Sequence, residues 1–369
     1  MTMVQDEDLR ILRDSVGTLL DRAGGLRRAR RLRDSNKDWD ADVWRELAAA
    51  GVLGAAAPED AGGLGMGLAA AGVVAEEVGR VIAPEPVVPT IGLAIGLMQR
   101  LCPQDPMLKA AIAGDVMLAV AWQERCATGL SAVIEGRFDG TTLTGSKDWV
   151  VGASGADHVL VIAESVRGPV LVRVSSDASG ILKQARAQSD ASALWSMSFS
   201  KTPAEMLAEG AAVTDALANA VADTTALAAA ELVGLSGAAL ALTLDYIKTR
   251  EQFDKPIGSF QVIQHRAVDM HVSQEVAQAA VREALAAMDQ AGSTLERVRQ
   301  ASRAKARACT AAQKITREAI QLHGAVGYTD EFNVGLLLNR ALVLSAWLGD
   351  AAFHRRRWLD AKETEEAAQ

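Results

Sequence analysis

Two stretches of the 369-residue chain hold residue types that suit a bound dinucleotide. In Arg250-Glu251-Gln252-Phe253-Asp254-Lys255-Pro256-Ile257-Gly258-Ser259-Phe260-Gln261, a cation and an amide stand at the end of a long helical segment. A pyrophosphate needs a fixed cation and hydrogen-bond donors, which Arg250 and Gln252 can supply. Phe253 and Ile257 offer apolar surface to adenine or ribose, and Pro256-Ile257-Gly258 turns the chain so that Gln261, after Phe260, starts the next helix. In the second stretch, Gln321-Leu322-His323-Gly324-Ala325-Val326-Gly327-Tyr328, the glycines let backbone approach a ligand closely and Gln321 supplies an amide. Taken singly, Arg250 also reads as a surface ion-pair partner, Phe253 as a core residue, and Gly324 with Gly327 as a helix C-cap.

These residues need a framework. Up to about residue 114, Leu9 to Ala23, Ala41 to Ala50 and Leu68 to Arg80 carry apolar residues at three and four spacing, which predicts helices. The loop Pro58-Glu59-Asp60-Ala61-Gly62-Gly63-Leu64-Gly65 and the prolines 84, 86 and 89 separate them. From 115 to 210 short runs (MLAVAW, LSAVIEG, TTLTGSKDWVV, HVLVIA, PVLVRVS) predict strands. After 211, Val213 to Arg250, Phe260 to Ala291, Ser293 to His323 and Asn333 to Lys362 predict four long helices, the makings of a bundle. The expected fold is mainly α with a central β domain: N-terminal helices (1–114), a small β-barrel or sandwich (115–210) and a C-terminal four-helix bundle (211–369).

Composition narrows the function. A formal net charge of −8 disfavours nucleic acid as the main partner. The basic run Arg27, Arg28, Arg30, Arg31 and Arg33 reads first as a solvated helix face and second as a contact for an anion or a partner subunit. Cys102, Cys126 and Cys309 lie far apart, fit no metal or disulfide spacing, and suit a cytoplasmic setting. No apolar run indicates a membrane span or a signal peptide, and no metal is expected.

The Arg250–Gln261 stretch with Gln264 and Asp269-Met270, and the Gln321–Tyr328 loop, resemble acyl-CoA dehydrogenases. The likeness extends to Trp44–Gly65, to Glu76-Glu77-Val78-Gly79-Arg80 and to Gly145-Ser146-Lys147-Asp148-Trp149, and so covers nearly the whole chain. It implies an FAD contacted by Arg250, Gln252, Phe253, Ile257, Phe260, Gln261, Gln321 and Gly324, with Trp149 near the flavin ring. It also implies an acyl-CoA substrate, electron-transfer flavoprotein as acceptor, and an oligomer whose FAD sites are shared between subunits.

α,β-Dehydrogenation needs a carboxylate to take the α-proton as hydride leaves the β-carbon. Most of the family is expected to place it in a turn matching Trp347-Leu348-Gly349-Asp350, and a subgroup at the position of Thr224; neither place holds a carboxylate here. Asp223, Glu231 and Asp350 are the nearest substitutes. Trp122-Gln123-Glu124-Arg125-Cys126-Ala127-Thr128-Gly129 and Trp149-Val150-Val151-Gly152 also depart from the family's flavin-ring segments. The sequence is therefore similar to the base-lacking subunits of α2β2 dehydrogenases acting on steroid side chains, with its own substrate pocket vestigial. A self-sufficient homotetramer with an unusual base, or a flavin monooxygenase or nitroalkane oxidase of the same fold, is the alternative.

Overall fold

A computed structural model describes residues 6–35, 37–125, 130 and 134–367. The first part is helical: α1 (Asp6–Arg22), α2 (Gly25–Asp34), α3 (Ala41–Ala49), α4 (Gly67–Val81), α5 (Val87–Pro89), a π-helical turn (Thr90–Ile95), α6 (Gly96–Leu101) and α7 (Pro106–Ala113). α3 begins on Asp40, whose carboxylate accepts from the Asp42 amide, and α7 on Asp105, which accepts from that of Met107. Each cap satisfies a donor that the first helical turn leaves free. Spacing marks α1, α3 and α4 in the sequence but not α2 or the run from 87 to 101. The 87–101 run is apolar on every side and displays no face; α2 has one, Leu26, Ala29 and Leu32, but it is short and set among five arginines in ten residues.

The middle of the chain forms one mixed eight-stranded sheet: β1 (Leu118–Ala121), β2 (Arg137–Phe138), β3 (Thr142–Val151), β4 (His158–Ser165), β5 (Gly168–Ser175), β6 (Ile181–Ala187), β7 (Ala193–Pro203) and β8 (Glu205–Glu209). The order is β6-β7-β3-β2-β4-β5-β8, with β1 added in parallel beside β4. The expected barrel or sandwich thus takes the form of a mixed sheet whose end strands, β6 and β8, do not pair among the described residues. Alternation on β4 shows how the sheet is seated: Leu160 and Ile162 join the helical core, while Val159, Val161 and Ala163 join a second core belonging to the sheet. β6, β7 and β8 escape the strand reading because β6 and β8 carry no buried residue and β7 only three. Part of the expected LSAVIEG strand, residues 131–133, lies outside the described residues.

α8 (Ala211–Thr249) is the axis of the bundle. It is long and apolar enough to cross a membrane, yet 67% of its apolar window is buried inside the chain, as befits a core helix. α4 crosses it at two glycines. A Cβ on Gly79 would lie 2.0 Å from the Glu231 carbonyl oxygen, and one on Gly234 would lie 1.8 Å from that of Glu76. A short hairpin follows, β9 (Glu251–Gln252) and β10 (Lys255–Pro256), then α9 (Gln261–Asp289) and α10 (Thr294–His323), which Ser293 caps. The helix expected from Asn333 to Lys362 is two helices, α11 (Val334–Ala346) and α12 (Ala351–Ala367). Leu348 (φ 59°) and Gly349 (φ 101°) turn left-handed, and the Asp350 carboxylate restarts the helix by accepting from the Phe353 amide.

Candidate active site

Sheet and bundle enclose a cavity of ≈ 450 Å³ lined by four tryptophans, Trp39, Trp149, Trp195 and Trp347. Trp149 reaches it through a distortion of β3. The pairing with β7 shifts register between Lys147 and Val150, and Trp149 itself takes φ 61°, a conformation a bulky side chain holds only when its surroundings impose it. The surroundings are Asp148, which is buried and accepts from Ser196 and Arg186, and the Arg186 guanidinium, 5.8 Å from the indole centroid.

The opposite wall is the turn after α11, held from behind by buried polar groups. Lys305 Nζ donates to the Leu344 carbonyl at 2.5 Å, and His354 Nε2 lies 2.8 Å from the Leu348 carbonyl. A carbonyl only accepts, so His354 carries its proton on Nε2, and Nδ1 faces the Ser302 hydroxyl at 3.2 Å. These contacts satisfy carbonyls that a helix C-terminus leaves open. Burial, reinforced by the Lys305 charge, pushes the His354 pKa down to about 3, and burial lowers that of Lys305.

Three carboxylates line the cavity: Asp38, Glu85 and Glu231. Asp38 is exposed at the rim. Glu85 receives both Arg28 nitrogens, at 2.6 and 2.8 Å. Glu231 accepts from Arg340 Nη2 at 2.6 Å and Nε at 3.0 Å, while Arg340 Nη1 reaches Asp190 at 3.0 Å. Burial alone would lower the Arg340 pKa, but the charges of Glu231 and Asp190 outweigh it and raise it. Through Arg340, Glu231 on α8 is thus tied to α11 and to Asp190 in the β6–β7 turn.

The other two candidate bases are also taken. Asp223 sits well inside α8 rather than at its start, and accepts from Arg100 at 2.6 Å and from Arg297 at 2.5 Å. Asp350 is exposed and caps α12, accepting from the Phe353 amide. Thr224 is buried, bonds the Ala220 carbonyl at 2.7 Å, and does not line the cavity. Leu348 does line it, at 4% exposure.

The residues expected to hold a dinucleotide lie elsewhere. Of that set only Trp149 lines the cavity. Arg250 closes α8 and, among the described residues, has no ion-pair partner; its carbonyl accepts from Ile257 and so shuts the β9–β10 hairpin. Phe253, at the hairpin tip with φ 55°, is 85% exposed and so is not a core residue; Phe260 meets its edge at 6.1 Å. Gln252, Gln261 and Gln321 are exposed, and Ile257 is partly so. Gly324 takes φ 65° with open space where a Cβ would be.

Two expectations need correction or restriction. The arginine run is not simply a solvated face: Arg28 is 2% exposed on Glu85 and Arg33 binds Asp330 through two nitrogens, whereas Arg27 and Arg31 face solvent. Cys126, Ala127, Thr128 and Gly129 lie outside the described residues. Sequence reasoning missed Trp39, Glu85, Trp195, Trp347 and Arg340 as cavity residues. Only Arg340 carried a signal, as the sole charge between Asp330-Glu331 and Asp350.

The model of the acyl-CoA dehydrogenase N-terminal domain matches residues 6–102, and that of the C-terminal domain residues 207–361, together more than half of the chain. The chain belongs to the acyl-CoA dehydrogenase family. Members are oxidoreductases that act on the CH–CH bond of acyl-CoA thioesters. This acyl-CoA dehydrogenase is 29% identical over 355 residues to the acyl-CoA dehydrogenase IpdE2 of Mycolicibacterium smegmatis, covering 95% of the chain and 97% of the relative. Among solved structures, it resembles a variant of the Tcur3481–Tcur3483 steroid ACAD, with 29% identity, TM-score 0.87, and 98% and 99% of the two chains covered. The ChsE4–ChsE5 complex of Mycobacterium tuberculosis is similar at 26% identity and TM-score 0.85, with 97% of each chain covered.

Proposed function

We propose that this chain is the base-lacking subunit of a heteromeric, FAD-dependent acyl-CoA dehydrogenase. A homologous chain would supply the catalytic carboxylate. The observation that carries the reading is the state of the cavity's carboxylates: the two buried ones are ion-paired, the third is exposed, and Leu348 fills the place where the resemblance puts the base. A general base must be free to accept a proton within reach of the substrate. Two similar solved structures are named as pairs of chains, which supports a partner subunit.

The exposed residues fit an FAD shared with that partner. Arg250 offers an uncommitted guanidinium for a pyrophosphate, Phe253 an uncovered ring for adenine, and the Gly324 backbone room for close approach. When bound, FAD accepts the hydride that leaves the substrate β-carbon. This chain's residues bind and orient, Arg250 and Gln252 by charge and hydrogen bonds, Phe253 by contact. Its Trp149 wall excludes water. Electron-transfer flavoprotein would take the electrons, in the cytoplasm. Expressing the chain alone and with the homologous gene nearest to its own tests the reading. Flavin content and thioester oxidation that appear only on co-expression support it; a yellow, active assembly of this chain alone refutes it.

A further inference from the structure

Arg28 and Glu85 form a buried, bidentate ion pair at the edge of the cavity, with side chains 2% and 0% exposed. Burying two charges is costly, so such a pair is better explained by what it positions than by net stability. The Glu85 carboxylate takes a third hydrogen bond, on Oε1, from the Asp40 amide at 3.1 Å. Asp40 is the N-cap of α3, and the residue before it is Trp39. Trp39 packs on Trp44, one turn into α3, at 6.3 Å and 73°, the staple geometry that fixes the chain's entry into a helix. The far edge of the Trp39 ring lies on Gly155 of the sheet domain, where a Cβ would come 2.6 Å from three ring atoms. Trp44 and the glycine seat therefore flank the indole, the ion pair fixes the backbone beside it, and Trp39 lines the cavity.

We propose that Trp39 is a fixed wall that sets the size of the neutral apolar group admitted to this cavity, and that Arg28 and Glu85 pin it there. The inference rests on the reading that the cavity belongs to acyl-thioester chemistry. The occupant is neutral because each buried charge lining the cavity already has an ion-pair partner, Arg340 with Glu231 and Asp190, and Glu85 with Arg28, so none is left to bind a charged group. It is apolar because four indoles surround it. A rigid wall discriminates by size: in an apolar pocket one methylene changes binding roughly 10–200-fold.

The test is calorimetric binding of straight-chain thioesters, butanoyl-CoA to hexadecanoyl-CoA, to the chain assembled with its partner. Wild type should show affinity rising with length to a limit and then dropping by about tenfold or more for the next longer probes. Trp39→Ala should move that limit to longer chains and Trp39→Phe should largely restore it. Gly155→Ala, which keeps every lining residue but unseats the indole, should shift it as well. The same limit in wild type and Trp39→Ala, with both proteins folded by thermal melt, overturns the proposal; so does the absence of any binding to either. Flavin absorbance of the same samples decides the partner-subunit reading separately, because the size profile is read without turnover.

Discussion

Arg340→Met removes the one cation that Glu231 and Asp190 share, and leaves two carboxylates with side chains 2% and 3% exposed. Breaking a buried pair from one side costs about 3–5 kcal/mol, because the abandoned charge keeps its desolvation penalty. Unfolding entropy of about 2.1 cal/mol/K per residue gives about 0.8 kcal/mol/K for 369 residues. The expected loss in Tm is therefore about 4–6 °C at pH 7. Adding Glu231→Gln and Asp190→Asn to Arg340→Met should recover most of the loss, since replacing a whole buried cluster is close to neutral. Differential scanning calorimetry at pH 7 reads both results. A Tm loss under about 1 °C, or a triple variant no more stable than Arg340→Met, would refute the assignment of Arg340 as the tie between bundle and sheet.

Gly79→Ala and Gly234→Ala each push a Cβ to within about 2 Å of a backbone oxygen on the crossing helix; each should cost more than about 3 kcal/mol by denaturant melt, while Gly292→Ala, with open space around it, should be neutral. His354 is held neutral, with its pKa lowered to about 3 from the 6.5 of an unfolded histidine. Its stabilising contribution is thus complete above pH 6.5 and is lost as pH falls toward 3, so His354→Gln should flatten the acid limb of the stability profile in that window. Arg250→Met should leave the melt unchanged within about 0.5 kcal/mol, because the side chain is exposed. It should weaken FAD retention roughly 10–150-fold, as expected for loss of a charge-assisted hydrogen bond, measured by equilibrium dialysis; undiminished retention would remove Arg250 from the cofactor site.

Much of the fold was legible because each segment carries its own local cause. The alanine-rich run of α8, the Ser293 cap of α10 and the alternation of β4 all act through neighbours a few residues away. The motif residues were equally legible as a set, because Arg250–Gln261 and Gln321–Tyr328 are continuous stretches. The break at Leu348 was hidden, since a left-handed leucine depends on His354 and Lys305 bonding the carbonyls around it. The sequence could show that Leu348 and Thr224 are not bases. It could not show that Asp223 and Glu231 are ion-paired, because that rests on arginines 123 and 109 residues away in the chain. The cavity itself is a tertiary product. Trp39, Trp149, Trp195 and Trp347 share no spacing and meet only when α3, the sheet and α11 are packed together. Residue types along the chain determined which family this protein joins and that neither position 224 nor position 348 holds a carboxylate; packing alone decided which charges are paired with one another and which side chains line the cavity.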